Sequence, residues 1–324
     1  MIKRSSTQPA PVLGLAAGIL AVSTASILIR FAQQEAPSLV IAAYRMGIAS
    51  LFLAIPGLVG QREEIRRIRL KEWGLLFLSG LFLAMHFAVW ITSLEYTSVA
   101  SSVVLVTTTP IWVALFSPIF LKEKLKRGVI WGLLVALTGS VVVGLSHNCS
   151  VGSAGLICAD MGALFEGKAI LGNALALMGA LCASGYMMAG RKIRSSLSLS
   201  SYVFLVYTIS AILLFIDVGI RGYPLTGYPA ATYGWFLALG VIPQLLGHTL
   251  FNWALKYVSA ALVSVALLGE PVGTIILAFF LLKESPSILE LAGGALILTG
   301  IYYTSRQEAR ARAMDQVSSS PDRA

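Results

Sequence analysis

Charge is scarce in this sequence. Asp, Glu, Lys and Arg make up only 12% of its 324 residues. A soluble domain usually carries about a quarter, and half that level cannot cover the surface of a water-soluble chain of this size. Cysteine and histidine are scarcer still, at three each. No HExxH, no GxSxG and no Cys/His cluster with metal-ligand spacing occurs, so nothing points to a metal, a covalent nucleophile or an organic cofactor. One stretch, Gly162-Ala-Leu-Phe-Glu-Gly-Lys-Ala169, nearly matches the phosphate-binding loop, but alanine replaces the hydroxyl residue that would hold magnesium. The short segments of alternating polarity that mark a membrane β-barrel are missing as well.

Apolar sequence is abundant instead. The chain is 57% hydrophobic, and its apolar residues fall in runs of about 20, the length a helix needs to cross a bilayer core of roughly 30 Å. Helices suit that role because each satisfies its own backbone hydrogen bonds. The pattern predicts ten spans, at 11–31, 38–60, 73–94, 98–121, 127–145, 169–190, 200–220, 232–255, 258–282 and 287–305. The first follows Lys3 and Arg4 but is too long for a signal-peptide core, so it is read as a retained helix. The tail from Arg306, rich in Ser and Arg, is expected to be loosely ordered.

Lys and Arg accumulate on the cytoplasmic side of membrane proteins. With the N-terminus inside, 19 of the 24 fall in inner segments. The outer loops hold Lys168, Arg221 and Lys283, while Arg30 and Arg45 fall within helices. The net charge of +9 is therefore a topology signal. The basic clusters sit in short loops between spans, which excludes nucleic acid as the expected partner. The expected partners are a small-molecule substrate and the lipid bilayer, the expected state is a monomer or homodimer, and the expected location is a bacterial inner membrane with both termini cytoplasmic.

The chain also repeats itself. Leu94-Glu-Tyr-Thr-Ser-Val-Ala100 recurs as Leu255-Lys-Tyr-Val-Ser-Ala-Ala261. Pro110 recurs as Pro271, Lys122-Glu123 as Lys283-Glu284, Gly132 as Gly293, and Leu137-Thr-Gly139 as Leu298-Thr-Gly300. Arg30 recurs as Arg191, and every pair is 161 residues apart. Each copy holds five predicted spans, an odd number, so the second must cross the membrane in the opposite sense. The predicted fold is an all-α membrane protein of ten transmembrane helices in two inverted five-helix repeats, 11–145 and 169–305. An N-terminal tail (1–10), an outer loop (146–168) and a C-terminal tail (306–324) flank them. Inverted repeats recur in secondary transporters, with the site near the midplane where the repeats meet.

The stretches Thr107-Thr-Thr-Pro-Ile-Trp-Val-Ala114 through Leu121-Lys-Glu-Lys124, and Leu267-Leu-Gly-Glu-Pro-Val272 through Leu282-Lys-Glu284, carry a family likeness, as do Pro37-Ser-Leu39 and Tyr44-Arg-Met46. In these the sequence resembles the EamA family of the drug/metabolite transporter superfamily, over roughly 11–305. The resemblance implies a five-plus-five inverted repeat and export of small metabolites by alternating access. It leaves the cargo open among amino acids, sugars, nucleotide derivatives and drugs.

Glu270 is the sharpest candidate site residue. It lies about twelve residues into the ninth span, roughly 18 Å along at 1.5 Å per residue, and an ionisable group there is a functional-site hypothesis. It could bind substrate or a proton; a structural carboxyl tied to a neighbouring helix is the alternative. Its repeat partner Thr109 is neutral. Arg45 could attract anionic groups or pair with Glu270, or serve structure alone. Gln244, His248 and Asn252 stand at i, i+4 and i+8, on one face of a regular helix, and are expected to line a cavity or bond between helices. His86 and Trp90 form a shorter stripe, and Tyr44 is a candidate cavity wall. Cys149 and Cys158 share one predicted outer loop and could form a disulfide or stay free. The leading functional expectation is secondary active export of amino acids or related compounds, with Glu270 carrying a coupled proton. A passive facilitator or an uncoupled exchanger is the alternative. An intramembrane enzyme would need a clustered catalytic set that the sequence does not offer.

Overall fold

The structure, a computed structural model, describes residues 10–123, 125–146, 149–152, 155–158, 167–283 and 285–318. Among these, ten helices are long and apolar enough to cross a membrane. They are α1 (Pro11–Ala32), α2 (Ser38–Leu58), α3 (Leu70–Tyr96), α4 (Val99–Phe120) and α5 (Arg127–Leu145), followed by α6 (Lys168–Ile193), α7 (Leu199–Ile220), α8 (Ala230–Ala254), α9 (Ala260–Phe280) and α10 (Ile288–Arg310). Each coincides with a predicted span to within a few residues at its ends.

Two segments differ from expectation. The polar tail beyond 305 continues α10 as helix to Ser318. Its sequence, Gln307-Glu-Ala-Arg-Ala-Arg-Ala-Met314, is built from strong helix formers, which a polarity reading scores as disorder. Glu308 also makes a tertiary contact: its carboxylate accepts from the Ser259 amide at 2.7 Å and the Ser259 hydroxyl at 2.5 Å, at the start of α9. The segment expected as a loop holds a hairpin of β1 (Cys149–Gly152) and β2 (Gly155–Cys158), antiparallel, with Cys149 opposite Cys158 and their sulfurs bonded. Gly162 to Glu166, most of the near-match to a phosphate loop, lies outside the described residues.

Helix starts follow capping chemistry. Ser98, Ser198 and Ser259 each stand before a helix and accept from the amide three residues on, which satisfies an otherwise orphaned donor. At Ser198 a carboxylate assists. Glu64, on a one-turn helix between α2 and α3 (Arg62–Arg66), accepts from the Ser198 amide at 2.8 Å and from the hydroxyls of Ser198 and Ser201. Partial burial raises its pKa, but those hydrogen bonds and the charge of Arg194 outweigh it and hold the carboxyl below its ordinary value.

The feature that positions the site is a pair of interrupted helices. α4 is helical over Val99–Val106 and again from Thr109, and α9 over Ala260–Leu267 and again from Glu270. Pro110 and Pro271 cause the breaks. A proline has no amide to donate and its ring clashes with the carbonyl four residues back, here Val106 and Leu267, the last residues of the first halves. The two breaks are 161 residues apart, as are Lys122 and Lys283, which close the second halves with left-handed φ of 58° and 60°.

α5 and α10 meet along a seam of glycine. A Cβ on Gly139 would lie 2.5 Å from the Gly293 carbonyl oxygen, and one on Gly300 2.5 Å from that of Gly132. The repeat offset maps Gly132 onto Gly293 and Gly139 onto Gly300, so each contact is the other with the copies exchanged. α3 and α6 run antiparallel: Gly172 abuts Thr97, Gly179 abuts Trp90 and Gly185 abuts Phe82. Small residues let these backbones approach closely, as membrane helices require.

Candidate functional site

A cavity of about 50 Å³ lies between the two copies, bounded by the breaks in α4 and α9. Its lining includes Arg45, His86, Trp90, Thr109, His248, Asn252 and Glu270. Five pairs of lining residues are 161 apart: Val22 and Ala183, Ala25 and Tyr186, Trp90 and Phe251, Val106 and Leu267, Thr109 and Glu270. The cavity thus sits where equivalent parts of the copies face each other.

Glu270 is 7% exposed, at the first position of the second half of α9. Its Oε1 is buried with no hydrogen-bond partner. Its backbone carbonyl accepts from Ser23 Oγ at 2.9 Å and Thr274 Oγ1 at 3.0 Å. Ser23 belongs to an interruption in α1 between Val22 and Ala25, so two broken helices are tied together behind the carboxyl. Gly273 makes room for this: a Cβ there would lie 2.1 Å from Ser23 Oγ.

Arg45 is fully buried. Its Nε donates to Gln244 Oε1 at 3.0 Å, and its guanidinium carbon lies 4.1 Å from the centre of the Phe87 ring. Nη1 and Nη2 are buried without partners. Arg45 and Glu270 face the same cavity but do not form an ion pair. A buried charge left uncompensated is costly, so both groups have capacity for a further partner.

The other predicted residues divide. His86 bonds through Nδ1 to the Gly179 carbonyl at 2.9 Å and stacks on Trp90, ring centres 5.7 Å apart. Thr109 turns its hydroxyl back to the Val106 carbonyl at 2.8 Å. Asn252 donates to Tyr186 Oη at 2.5 Å, and its Oδ1 is unpartnered. His248 packs edge-on against Phe87 at 5.4 Å. Gln244 does not line the cavity and instead supports Arg45 from behind. Gly240–His248 winds as a π-helix containing Pro243, and its wider turn breaks the regular spacing of the expected stripe. Tyr44 lies away from the cavity. It stacks on Phe236 at 4.6 Å and donates to the Leu225 carbonyl at 2.6 Å.

Sequence reasoning missed Tyr186, Phe251 and Phe87. The offset of 161 was the signal that could have found two of them, since it carries Trp90 to Phe251 and His248 back to Phe87. Tyr186 had no such signal: its repeat partner is Ala25, and its place in the site is set by tertiary contact with Asn252.

The profile of the EamA-like transporter family matches this sequence twice, over residues 10–145 and 170–306. The chain belongs to the EamA-like transporter family. Its relatives include an uncharacterized transporter of Archaeoglobus fulgidus, 25% identical over 86% of this chain and 92% of that one. The pseudopaline exporter CntI of Pseudomonas aeruginosa is 25% identical over 90% of this chain and 96% of its own. The uncharacterized transporter YcxC of Bacillus subtilis is 26% identical over 93% and 94%. A solved crystal structure superposes with a TM-score of 0.72 at 19% identity, covering 94% of this chain and 99% of that one, a likeness of fold alone. This EamA-like protein is an integral, multi-pass membrane transporter.

Proposed function

We propose that this protein is a secondary active transporter that exports small metabolites, amino acids or related compounds, by alternating access. The observation that carries the proposal is the cavity between the copies, with an unpartnered guanidinium edge on Arg45 and an unpartnered carboxyl oxygen on Glu270. A zwitterionic solute brings a carboxylate for the first and an ammonium for the second. Trp90, Phe251 and Leu267 supply the apolar walls common to small-molecule sites. Glu270 is also the proposed proton carrier, releasing cargo in one protonation state and binding it in the other.

The proposed architecture is an inverted repeat with both termini cytoplasmic, in a bacterial inner membrane. The repeat is supported by the matching helix breaks, the matching left-handed lysines and the exchanged glycine contacts, and the orientation by the Lys and Arg gathered in the inner segments. Transporters of this design rock one repeat against the other around a fixed midplane site. The likeness to an exporter named for pseudopaline supports export as the direction.

The test is proton flux in proteoliposomes, read by a trapped pH dye, across amino acids, sugars and cationic drugs. A signal driven by amino acids and abolished by Glu270→Gln is expected. Normal coupled transport in that variant refutes the role of Glu270, and transport without proton movement in the wild type makes the protein an uncoupled exchanger.

A further inference from the structure

A second and larger space lies outside the central cavity, between α3, α4 and α6 at the end where α6 finishes. It measures about 410 Å³ and is walled by apolar side chains such as Leu75, Phe82, Phe120 and Met188. Its polar lining is Ser184, whose hydroxyl already donates to the Leu181 carbonyl at 2.7 Å, and Lys192 at the rim. Leu78, 40% exposed, and Phe120, 60% exposed, open the groove to the membrane face of the protein.

Each of the three helices places a lysine at this same end. Lys71 stands one turn before Leu75 on α3, Lys122 follows Leu121 at the end of α4, and Lys192 lies in the last turn of α6. All three are exposed. The neighbouring carboxylates are engaged elsewhere: Glu72 with Arg69 at 3.0 Å and Glu123 with Arg191 at 2.7 Å. Among the described residues none of the three lysines has an ion-pair partner.

We propose that this groove binds one anionic phospholipid, its acyl chain along α3 and α6 and its phosphate on Lys192, with Lys71 and Lys122 adding to the field. The apolar walls call for hydrocarbon and exclude a free anion. The unpaired lysines at one end call for net negative charge, which a choline headgroup cancels with its own ammonium. Basic pockets between membrane helices select anionic headgroups in this way. The inference rests on the membrane-spanning fold and not on the nature of the cargo.

Native mass spectrometry of the full-length protein in detergent tests it. The protein is titrated with dioleoyl phosphatidylglycerol and, separately, with dioleoyl phosphatidylcholine. One phosphatidylglycerol is expected to bind in preference, by about fivefold for each lysine engaged. Lys192→Gln, an exposed change that leaves the core untouched, should lower that preference by about fivefold. Leu78→Trp, which fills the groove, should weaken both lipids alike. Glycerol 3-phosphate, which lacks chains, should not compete. Equal binding of the two lipids, a preference unchanged in Lys192→Gln, or full competition by glycerol 3-phosphate would each overturn the proposal.

Discussion

On the proposed alternating-access mechanism, removing the Arg191–Glu123 ion pair should loosen the end of the transporter where α6 finishes. The pair links the last turn of α6, in the second copy, to the connection between α4 and α5 in the first. Nε and Oε1 are 2.7 Å apart, with side chains 27% and 26% exposed. Arg191 Nη1 also donates to the Leu255 carbonyl at 2.7 Å. An exposed pair contributes about 0–1 kcal/mol, and a hydrogen bond to a charged group about 1.5–3 kcal/mol. For a pair between those limits, about 1.4 kcal/mol is a fair value, and its loss shifts a two-state equilibrium about tenfold. The assay places a cysteine at Ala183, which lines the cavity, in a background with Cys182→Ala, and measures maleimide labelling from the inner side. Glu123→Gln and Arg191→Gln should each raise the labelling rate, by about tenfold at most. Exchanging the charges, with Glu123→Arg and Arg191→Glu together, should bring it back down. A rate that stays at the wild-type value in both single variants would refute the assignment of this pair as an inner closure.

Three further outcomes are expected. Gly139→Ala forces a Cβ to within 2.5 Å of the Gly293 carbonyl, where only backbone can give way, and should cost about 1–3 kcal/mol of stability, read as a lower melting temperature in detergent. Glu64 has a lowered pKa in the fold, so its contribution is complete above its unfolded value, about 4.5, and is lost as pH falls through the lower folded value. Acidification should therefore reduce the melting temperature of the wild type more than that of Glu64→Gln. With Cys149 and Cys158 bonded and Cys182 free, denatured protein should take up one equivalent of thiol reagent before reduction and three after it.

Much of the fold was legible because bilayer physics writes in long, coarse strokes. Runs of about 20 apolar residues mark a span whatever its neighbours do, and the constant offset, Pro110 to Pro271 among its pairs, marked the two copies, although both spans were read as continuous and the breaks at those prolines were not expected. Glu270 and Arg45 stood out for the same reason, as charges in apolar runs, and they do face one cavity. The misplacements share a different cause. In the stripe, His248 and Asn252 do line the cavity and Gln244 bonds between helices to Arg45; only the regular helix was misjudged, because the π-helix around Pro243 alters the angle between its members. Tyr44 was read as an aromatic cavity wall, but it is adjacent to Arg45 on a helix, where neighbours point about 100° apart, and it joins the aromatic cluster of Phe236 and Tyr233. Phe87 is an apolar residue in an apolar span, and its part in the site comes from the guanidinium seated over its ring. The helical tail was hidden because its helix formers are also polar, and composition weighs polarity first.

The paired breaks have a consequence for the field inside the cavity. Each second half begins a new helix, and the start of a helix carries about half a positive charge. Thr109 and Glu270 occupy those two starts, but only one of them brings an anion. With Glu270 ionised, its charge offsets the helix poles and the guanidinium of Arg45 in part. With Glu270 protonated, every fixed charge around the solute is positive. On the proposal that Glu270 carries a proton, gaining it strengthens the positive field around an anionic group and losing it weakens that field, and the neutral Thr109 in the matching place leaves this change to one copy alone.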